Sequence, residues 1–146
     1  MNRRRMMTEG KVLPLLVFEY GKTALSAGNL IGFGANFLNG TIKIEPKSYK
    51  PAFINISGIN FSRYKTLKIE CAAYIEDYEG GYDLHICGFG EGEGNFESDY
   101  EMYQYAPEYS KIVTFDISKI KGEKLIKASA NHVGTAYMVI KNIWLE

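Results

Sequence analysis

Hydrophobic residues recur at every second position along most of this 146-residue chain. In the segment Leu67–Ile75, the side chains of Leu67, Ile69 and Cys71 fall on one face of an extended strand. This period of two is typical of a strand with one buried face, whereas a helix buries positions three or four apart. Because no twelve-residue window has a helical stripe, the sequence predicts an all-β fold.

Eight segments have the strand pattern, and residues that favour turns separate them. They are Val12–Tyr20, Thr41–Glu45, Phe53–Ser57, Leu67–Ile75, Tyr82–Phe89, Lys111–Ile117, Leu125–Ala130 and Ala136–Leu145. No element is assigned to the glycine-rich stretch Ala24–Asn36. We predict a jelly-roll β-sandwich of about eight or nine antiparallel strands. One flat sheet of that size would expose a face to solvent and leave two edge strands unpaired. An immunoglobulin-like sandwich is the alternative.

The length suits one domain. We predict a flexible basic N-terminal tail over residues 1–11 and a single β-sandwich domain over residues 12–146. The arginines of the tail followed by Val12–Phe18 form only a weak signal-peptide pattern, because Glu19 ends a short apolar run and no small-residue cleavage site follows. No segment approaches the ~20 apolar residues that a membrane span requires, so no membrane partner is expected.

The two cysteines, Cys71 and Cys87, lie on consecutive predicted strands that we expect to form a hairpin over Glu76–Gly81. If paired residue numbers sum to 158, the cysteines face each other. If they sum to 157, apolar residues oppose one another and the cysteines point to opposite faces. The second register is favoured because the buried face sets the register. It predicts two reduced thiols, which suits a reducing cytoplasm.

Charge is divided along the chain although it cancels overall. The segment from Glu70 to Tyr109 holds eleven of the seventeen acidic residues and no Lys or Arg, so the remainder holds six acids and all seventeen cations. The acidic middle makes nucleic acid a poor partner, because phosphate contacts require clustered cations. Charge blocks of opposite sign could also dock copies of the chain, giving a possible homo-oligomer or a contact with a partner shell.

The sequence contains no recognisable catalytic constellation, and we expect that the protein is not an enzyme. No nucleophile elbow accompanies His85 or His132, and the spacing of the cysteines and histidines is wrong for zinc. Glycosidases use two carboxyl groups at the sugar bond, and acidic residues surround the glycine-rich loop. A glycoside-active enzyme is therefore the third-ranked functional alternative.

The long irregular segment Gly88–Ser110 combines glycines, acids and aromatic residues, and seven of the eleven tyrosines lie between Tyr74 and Tyr109. Tyrosine offers a large rigid ring with a hydrogen-bonding tip, which suits a sugar ring flanked by carboxylates. We predict a carbohydrate-binding site at Asn95, Glu97, Asp99, Tyr100, Tyr103 and Tyr105. The alternative is that these tyrosines are structural and pack the loop onto the sandwich.

No cofactor or metal is expected. Calcium is the alternative use of the acids, because Glu91, Glu93, Asn95, Glu97 and Asp99 recur at every second residue and a hard cation takes oxygen ligands. The alternation does not match the helix–loop–helix calcium pattern, so a solvated acidic loop is favoured.

Several segments resemble known families. Phe115–Ser118, Ile120–Gly122 and Ala136–Leu145 resemble the C-terminal half of galactose-binding-like jelly-roll domains, and Ile56–Lys68 looks like their sheet-to-sheet crossing. The basic, methionine-rich opening Met1–Met7 is similar to small tail-associated proteins of phages and prophages of Gram-positive bacteria.

This resemblance implies a non-catalytic carbohydrate-binding or host-recognition module of a phage-like tail or virion. A purely structural virion or tail assembly subunit is the alternative. The implied partners are cell-surface carbohydrate or other virion proteins, and the implied location is the bacterial cytoplasm during assembly and then the virion.

Overall fold

The computed structural model describes residues 12–46, 50–75, 82–90, 100–101, 110–132 and 136–146, and every regular element in them is a β-strand. The strands are β1 (Leu15–Phe18), β2 (Asn29–Phe33), β3 (Ala35–Leu38), β4 (Thr41–Ile44), β5 (Ala52–Asn60), β6 (Thr66–Ile75), β7 (Tyr82–Gly90), β8 (Tyr100–Glu101), β9 (Lys111–Asp116), β10 (Glu123–His132) and β11 (Ala136–Leu145). No helix able to cross a membrane occurs in these ranges.

The strands form two antiparallel sheets. One has the order β3-β4-β11-β6-β9, with β1 paired to the end of β11, and the other has the order β2-β5-β10-β7-β8. From β4 to β11 the chain changes sheet at every connection except the one from β7 to β8. Each sheet therefore interleaves strands from the two halves of the chain, which is the jelly-roll arrangement of two Greek keys.

The prediction of a jelly-roll sandwich is confirmed, and each of the eight predicted segments contains a strand. The described ranges hold three more strands: β2 and β3, which cover much of the unassigned stretch Ala24–Asn36, and the short β8. The β3–β4 hairpin turns at Asn39 and Gly40, which both have positive φ, 53° and 77°. Asn-Gly is the residue pair that such a two-residue turn favours, and it is a signal that the sequence analysis missed.

The predicted hairpin of the two cysteine strands is wrong. β6 pairs with β11 and β9 in one sheet, whereas β7 pairs with β10 and β8 in the other, so neither proposed register occurs. Inward alternation looks the same for strands that pair side by side and for strands that face each other across a core, which explains the error.

Cys71 is fully buried as predicted from its inward position, and its Sγ lies 3.8 Å from the carbonyl oxygen of Lys111. Burial raises the pKa of this thiol to about 12, which keeps it protonated. The side chain of Cys87 lies outside the described residues.

The core lies between the two sheets and contains side chains from both. Each of the long strands β5, β6, β10 and β11 contributes inward residues that are almost completely buried, as in Ile54, Ile69, Ala128 and Ile140. Within the core, the ring of Phe18 packs against Phe37 and that of Phe61 against Phe89. Because the core occupies the inner faces, the alternate residues of these strands lie on the outer faces of the sheets.

Candidate functional site

The outer face of the six-stranded sheet is built around β11. Along its first half Ala136, Met138 and Ile140 are buried, while the alternate residues Tyr137 and Val139 are partly exposed. The neighbouring strands follow the same rule, so that Lys43 of β4 lies beside Val139 on the outer face. The alternation that builds the core thus also sets a row of aromatic and charged side chains on the outside.

A β-bulge interrupts β11 at its centre. Ile140 pairs with Cys71 and Asn142 with the preceding residue Glu70, which leaves Lys141 as the extra residue in β11. Lys141 and Asn142 are therefore both partly exposed, and Ile143 returns to the core. A bulge of this kind re-aims side chains, and here it sets two consecutive polar residues on the outer face.

Tyr20 is held on this face by hydrogen bonds that two backbone N–H groups of its segment donate. Its N–H donates to Oδ1 of Asn142 at 3.0 Å, and the N–H of Gly21 donates to the carbonyl oxygen of Gly40 at 2.8 Å. The ring is 60% exposed, and Nζ of Lys141 lies 6.0 Å from its centroid. The Asn142 side chain thereby links the bulge to the aromatic ring above the sheet.

A depression on this face, called here the cationic depression, has a volume of about 270 Å³. It is lined by Tyr20, Leu38, Asn39, Thr41, Lys43, Tyr137, Val139 and Lys141, a set with two lysines and no carboxylate. Lys43 Nζ lies 4.3 Å from the centroid of the Tyr137 ring, and that ring stacks on Tyr74 at 5.1 Å. Lys43 also contacts Glu45 just outside the depression at 3.7 Å.

Another depression on the face, called here the acidic depression, has a volume of about 320 Å³. It is lined by Pro14, Leu16, Phe18, Glu19, Glu70, Asn142, Trp144 and Glu146, a set with three carboxylates and no cation. Glu70 accepts a hydrogen bond from the Asn142 amide at 2.9 Å. Glu146 accepts from Lys68 at 2.7 Å and from the Trp144 indole at 2.9 Å.

These hydrogen bonds decide what the Glu146 carboxylate can do. The bond from Lys68 and then the bond from Trp144 lower its pKa, because both donors stabilise the ionised form. A carboxylate with a lowered pKa is a hydrogen-bond acceptor at neutral pH and a poor proton donor. The acidic depression therefore offers acceptors beside an indole ring, which suits a polyhydroxylated ligand better than acid catalysis.

Most of the residues predicted from the sequence to bind carbohydrate lie outside the described ranges. These are Asn95, Glu97, Asp99, Tyr103 and Tyr105. The backbone of Tyr100 lies in β8, the edge strand of the five-stranded sheet, where it pairs with Ile86. The strand that carries Tyr100 therefore belongs to the other sheet from the two depressions.

The residues considered for calcium, Glu91, Glu93, Asn95, Glu97 and Asp99, also lie outside the described ranges. In the part of the chain that the structure does describe, no three His, Cys, Asp or Glu side chains are close enough together to hold a metal ion.

Sequence reasoning missed the residues that the fold gathers on the outer face: Tyr20, Lys43, Tyr137, Lys141, Asn142 and Trp144. Two signals were available in the last strand. Ile140 and Ile143 are three residues apart, so the inward alternation breaks at Lys141 and Asn142, which is the pattern of a bulge. Tyr137 and Trp144 both occupy outward positions, where a large aromatic side chain is not needed for the core.

The fold is similar to those of solved family 29 carbohydrate binding modules. A variant of one module with an arginine replaced by alanine has a TM-score of 0.55 and 13% identity, with 92% of each chain covered. A lysine-to-alanine variant complexed with cellulohexaose has a TM-score of 0.56 and 13% identity, covering 91% of this chain and 89% of that one. An aspartate-to-alanine variant complexed with mannohexaose gives 0.56 and 13%, with 92% of each covered.

No protein-family model matches the chain, and no curated protein sequence matches it. At 13% identity the structural likeness establishes a shared fold and nothing further about this chain.

Proposed function

We propose that the protein is a non-catalytic carbohydrate-binding domain and that the outer face of its six-stranded sheet is the binding surface. The observation that carries the proposal is the grouping of exposed Tyr20 and partly exposed Tyr137 and Trp144 with charged and amide groups on that face. The fold shared with carbohydrate binding modules supports it.

The chemistry of a sugar matches this composition. One face of a pyranose ring carries C–H groups that pack on an aromatic ring, and its hydroxyls project sideways to donate and accept hydrogen bonds. Aromatic side chains provide a rigid surface with little entropy loss on binding, and a few polar groups set the orientation of the ligand. Asn142, Glu70 and Glu146 supply such groups beside Trp144.

The spacing of the aromatic residues favours an extended glycan over a single sugar. Tyr137 and Trp144 lie on one strand, opposite Tyr74 and Lys68 of β6, and because of the bulge they are about 20 Å apart, six residues at ~3.3 Å per residue. A linear oligosaccharide that crosses both depressions would reach both rings. The ligands named for two of the similar modules, cellulohexaose and mannohexaose, are linear oligosaccharides and are the first ones to test.

The proposal is tested by isothermal titration calorimetry with linear hexaoses, after a glycan array has identified the best ligand. Tyr137→Ala and Trp144→Ala should each weaken binding roughly tenfold, equivalent to about 1.4 kcal/mol, because each removes one aromatic contact from the surface. Phe33→Ala is the matched control, since Phe33 is an exposed aromatic on β2 of the opposite sheet. An array without hits, or equal losses in all three variants, would contradict the proposal.

The tyrosine-rich segment remains a second proposed location for the site, at Asn95, Glu97, Asp99, Tyr100, Tyr103 and Tyr105. What supports it is the sequence pattern of aromatic rings among acids and glycines. Replacing Tyr100, Tyr103 and Tyr105 together by Ala separates the two locations. If the segment binds the glycan, this triple variant loses affinity and Tyr137→Ala keeps it. If Tyr137→Ala loses affinity and the triple variant keeps it, the glycan binds to the sheet face.

The biological setting proposed for this binding is a phage-like tail or virion, with folding in the bacterial cytoplasm and cell-surface carbohydrate or virion proteins as partners. Support for it comes from the resemblance of Met1–Met7 to tail-associated proteins. Detection of the chain in purified particles by mass spectrometry tests it.

A structural assembly subunit is the alternative function, and the charge division at Glu70–Tyr109 favours it. That function predicts oligomers that dissociate as salt is raised. A monomer in light scattering at low salt would contradict it.

A further inference from the structure

The inference rests on the proposed function and concerns the charge of the glycan. We infer that the cationic depression binds a sugar unit that carries a carboxylate, a uronic acid, while neutral units of the same glycan lie over the acidic depression. The geometry that points to it is the segregation of charge on one face, with Lys43 and Lys141 in one depression and three glutamates in the other.

The two lysines line one depression, and each lies near a tyrosine ring. Lys43 Nζ lies over the Tyr137 ring at 4.3 Å, and Lys141 Nζ lies 6.0 Å from the centroid of Tyr20. Both side chains line the same depression together with both tyrosines. Tyr137 already has Lys43 over its ring and Tyr74 stacked on it, so a sugar ring in this depression would pack on Tyr20. The lysines of the depression are then its cationic neighbours, and the C6 carboxylate of a uronic acid is the group that would pair with them.

The protein itself leaves much of this positive charge uncompensated. Among the described residues, Lys43 has a carboxylate partner only in Glu45, at 3.7 Å, and Lys141 makes no ion pair. The contrast is with Lys68 on the same face, which is bonded to Glu146 at 2.7 Å. A bound carboxylate would gain charge-assisted hydrogen bonds in the cationic depression without breaking a short ion pair.

The acidic depression restricts the ligand further. Glu19, Glu70 and Glu146 line it, and Lys68 is paired with Glu146 alone among the described residues, so a bound carboxylate would still meet net negative charge. Unfavourable contacts of this kind produce specificity as effectively as favourable ones. The face therefore selects a glycan with an acidic unit at one position and neutral units at the next, and it disfavours a chain in which every unit is charged.

The experiment compares two oligosaccharides that differ in one group. One is a neutral hexaose that binds the protein, and the other is the same chain with one terminal C6 hydroxymethyl group oxidised to a carboxylate. Calorimetry at low salt should show the carboxylated ligand binding roughly tenfold more tightly, an advantage within the range of a charge-assisted hydrogen bond. Raising the salt should reduce this advantage by screening.

Lys141→Met should bring the affinity ratio of the two ligands close to one. Lys119→Met is the control, because it removes one positive charge between β9 and β10, outside both depressions, and should keep the ratio. A ratio of one in the unmodified protein, or a ratio that survives Lys141→Met, would overturn the inference while binding of the neutral ligand still supported carbohydrate binding. If neither ligand binds, the proposed function fails and the inference fails with it.

Discussion

The cationic and acidic depressions lie on the same sheet face and share the strand β11, yet they carry opposite charge. The first takes its side chains from β4, the turn before it and the segment that follows β1, whereas the second takes them from β1, β6 and the end of β11. The boundary is the bulge, because Lys141 lines one depression and Asn142 the other. One inserted residue in a central strand thus separates two chemical environments on a continuous face.

The two depressions also differ in the contacts that hold their lining residues in place. In the acidic depression the charged groups are fixed by side-chain hydrogen bonds, as between Glu146 and Lys68. In the cationic depression a backbone contact between Gly21 and Gly40 holds the segment that carries Tyr20 against the β3–β4 turn. Each depression should therefore respond to a different kind of substitution.

Gly40→Ala should have the largest effect on stability and should act on the cationic depression. A Cβ at Gly40 would lie 2.7 Å from Cα of Gly21 and 2.8 Å from its nitrogen, and φ of Gly40 is +77°. The left-handed conformation alone costs ~1–2 kcal/mol for a residue with a side chain, and backbone overlap adds to it. We expect a loss of about 2 kcal/mol or more in urea denaturation, together with weaker binding of the carboxylated ligand.

Gly122→Ala provides the matched control for Gly40→Ala. Gly122 has nearly the same φ, +80°, but a Cβ there would have nothing within 4 Å. Its loss of stability should be about 1 kcal/mol and should leave binding unchanged. Equal losses in the two variants would show that the approach of Gly21 to Gly40 does not hold Tyr20 in place.

Asn142→Ala should have the next largest effect and should reach both depressions, because this side chain accepts from the N–H of Tyr20 and donates to Glu70. Loss of the two hydrogen bonds should lower the free energy of unfolding by about 1 kcal/mol. Asn142→Asp keeps the acceptor for Tyr20 but places a carboxylate beside Glu70, so its loss should grow as pH rises and both acids ionise. A pH-independent loss in Asn142→Asp would show that the contact with Glu70 is unimportant.

The sequence was sufficient to predict the sandwich because burial depends on alternation, which each strand carries locally. Leu67, Ile69 and Cys71 were predicted to share the buried face, and all three are buried. Strand pairing was not predictable in the same way. β6 and β7 both bury alternate residues, and nothing local in either strand distinguishes a hairpin partner from a strand across the core.

The candidate site was harder to predict than the fold because its residues are distant in sequence. Tyr20, Lys43 and Tyr137 come together only through the pairing of β4 with β11 and the return of the chain from β1. The aromatic residues of the tyrosine-rich segment, in contrast, are close together in sequence. Composition detects such local clusters, whereas a sheet face assembled from several strands is visible only after the strand order is known.

The smallest expected effect concerns pH and should appear in the acidic depression alone. Hydrogen bonds from Lys68 and Trp144 lower the pKa of Glu146 below its ordinary 4.5, so the stabilisation from this carboxylate is present above pH 4.5 and is lost as pH falls through the lowered value. Trp144 is the only tryptophan of the chain and donates to Glu146, so its fluorescence should change over that range.

Lys68→Met removes the largest cause of the lowered pKa, and the midpoint of the Trp144 fluorescence change should therefore move upward toward pH 4.5. Lys43→Met removes a cation from the other depression and should leave that midpoint where it is. Lys43 lies opposite Val139, about 20 Å from Glu146 along the sheet at ~3.3 Å per residue, and exposed charges at that separation are largely screened. If Lys43→Met shifted the midpoint as much as Lys68→Met, charges in the cationic depression would act on Glu146 in the acidic one. The bulge would then separate the two depressions in shape but not in electrostatic potential.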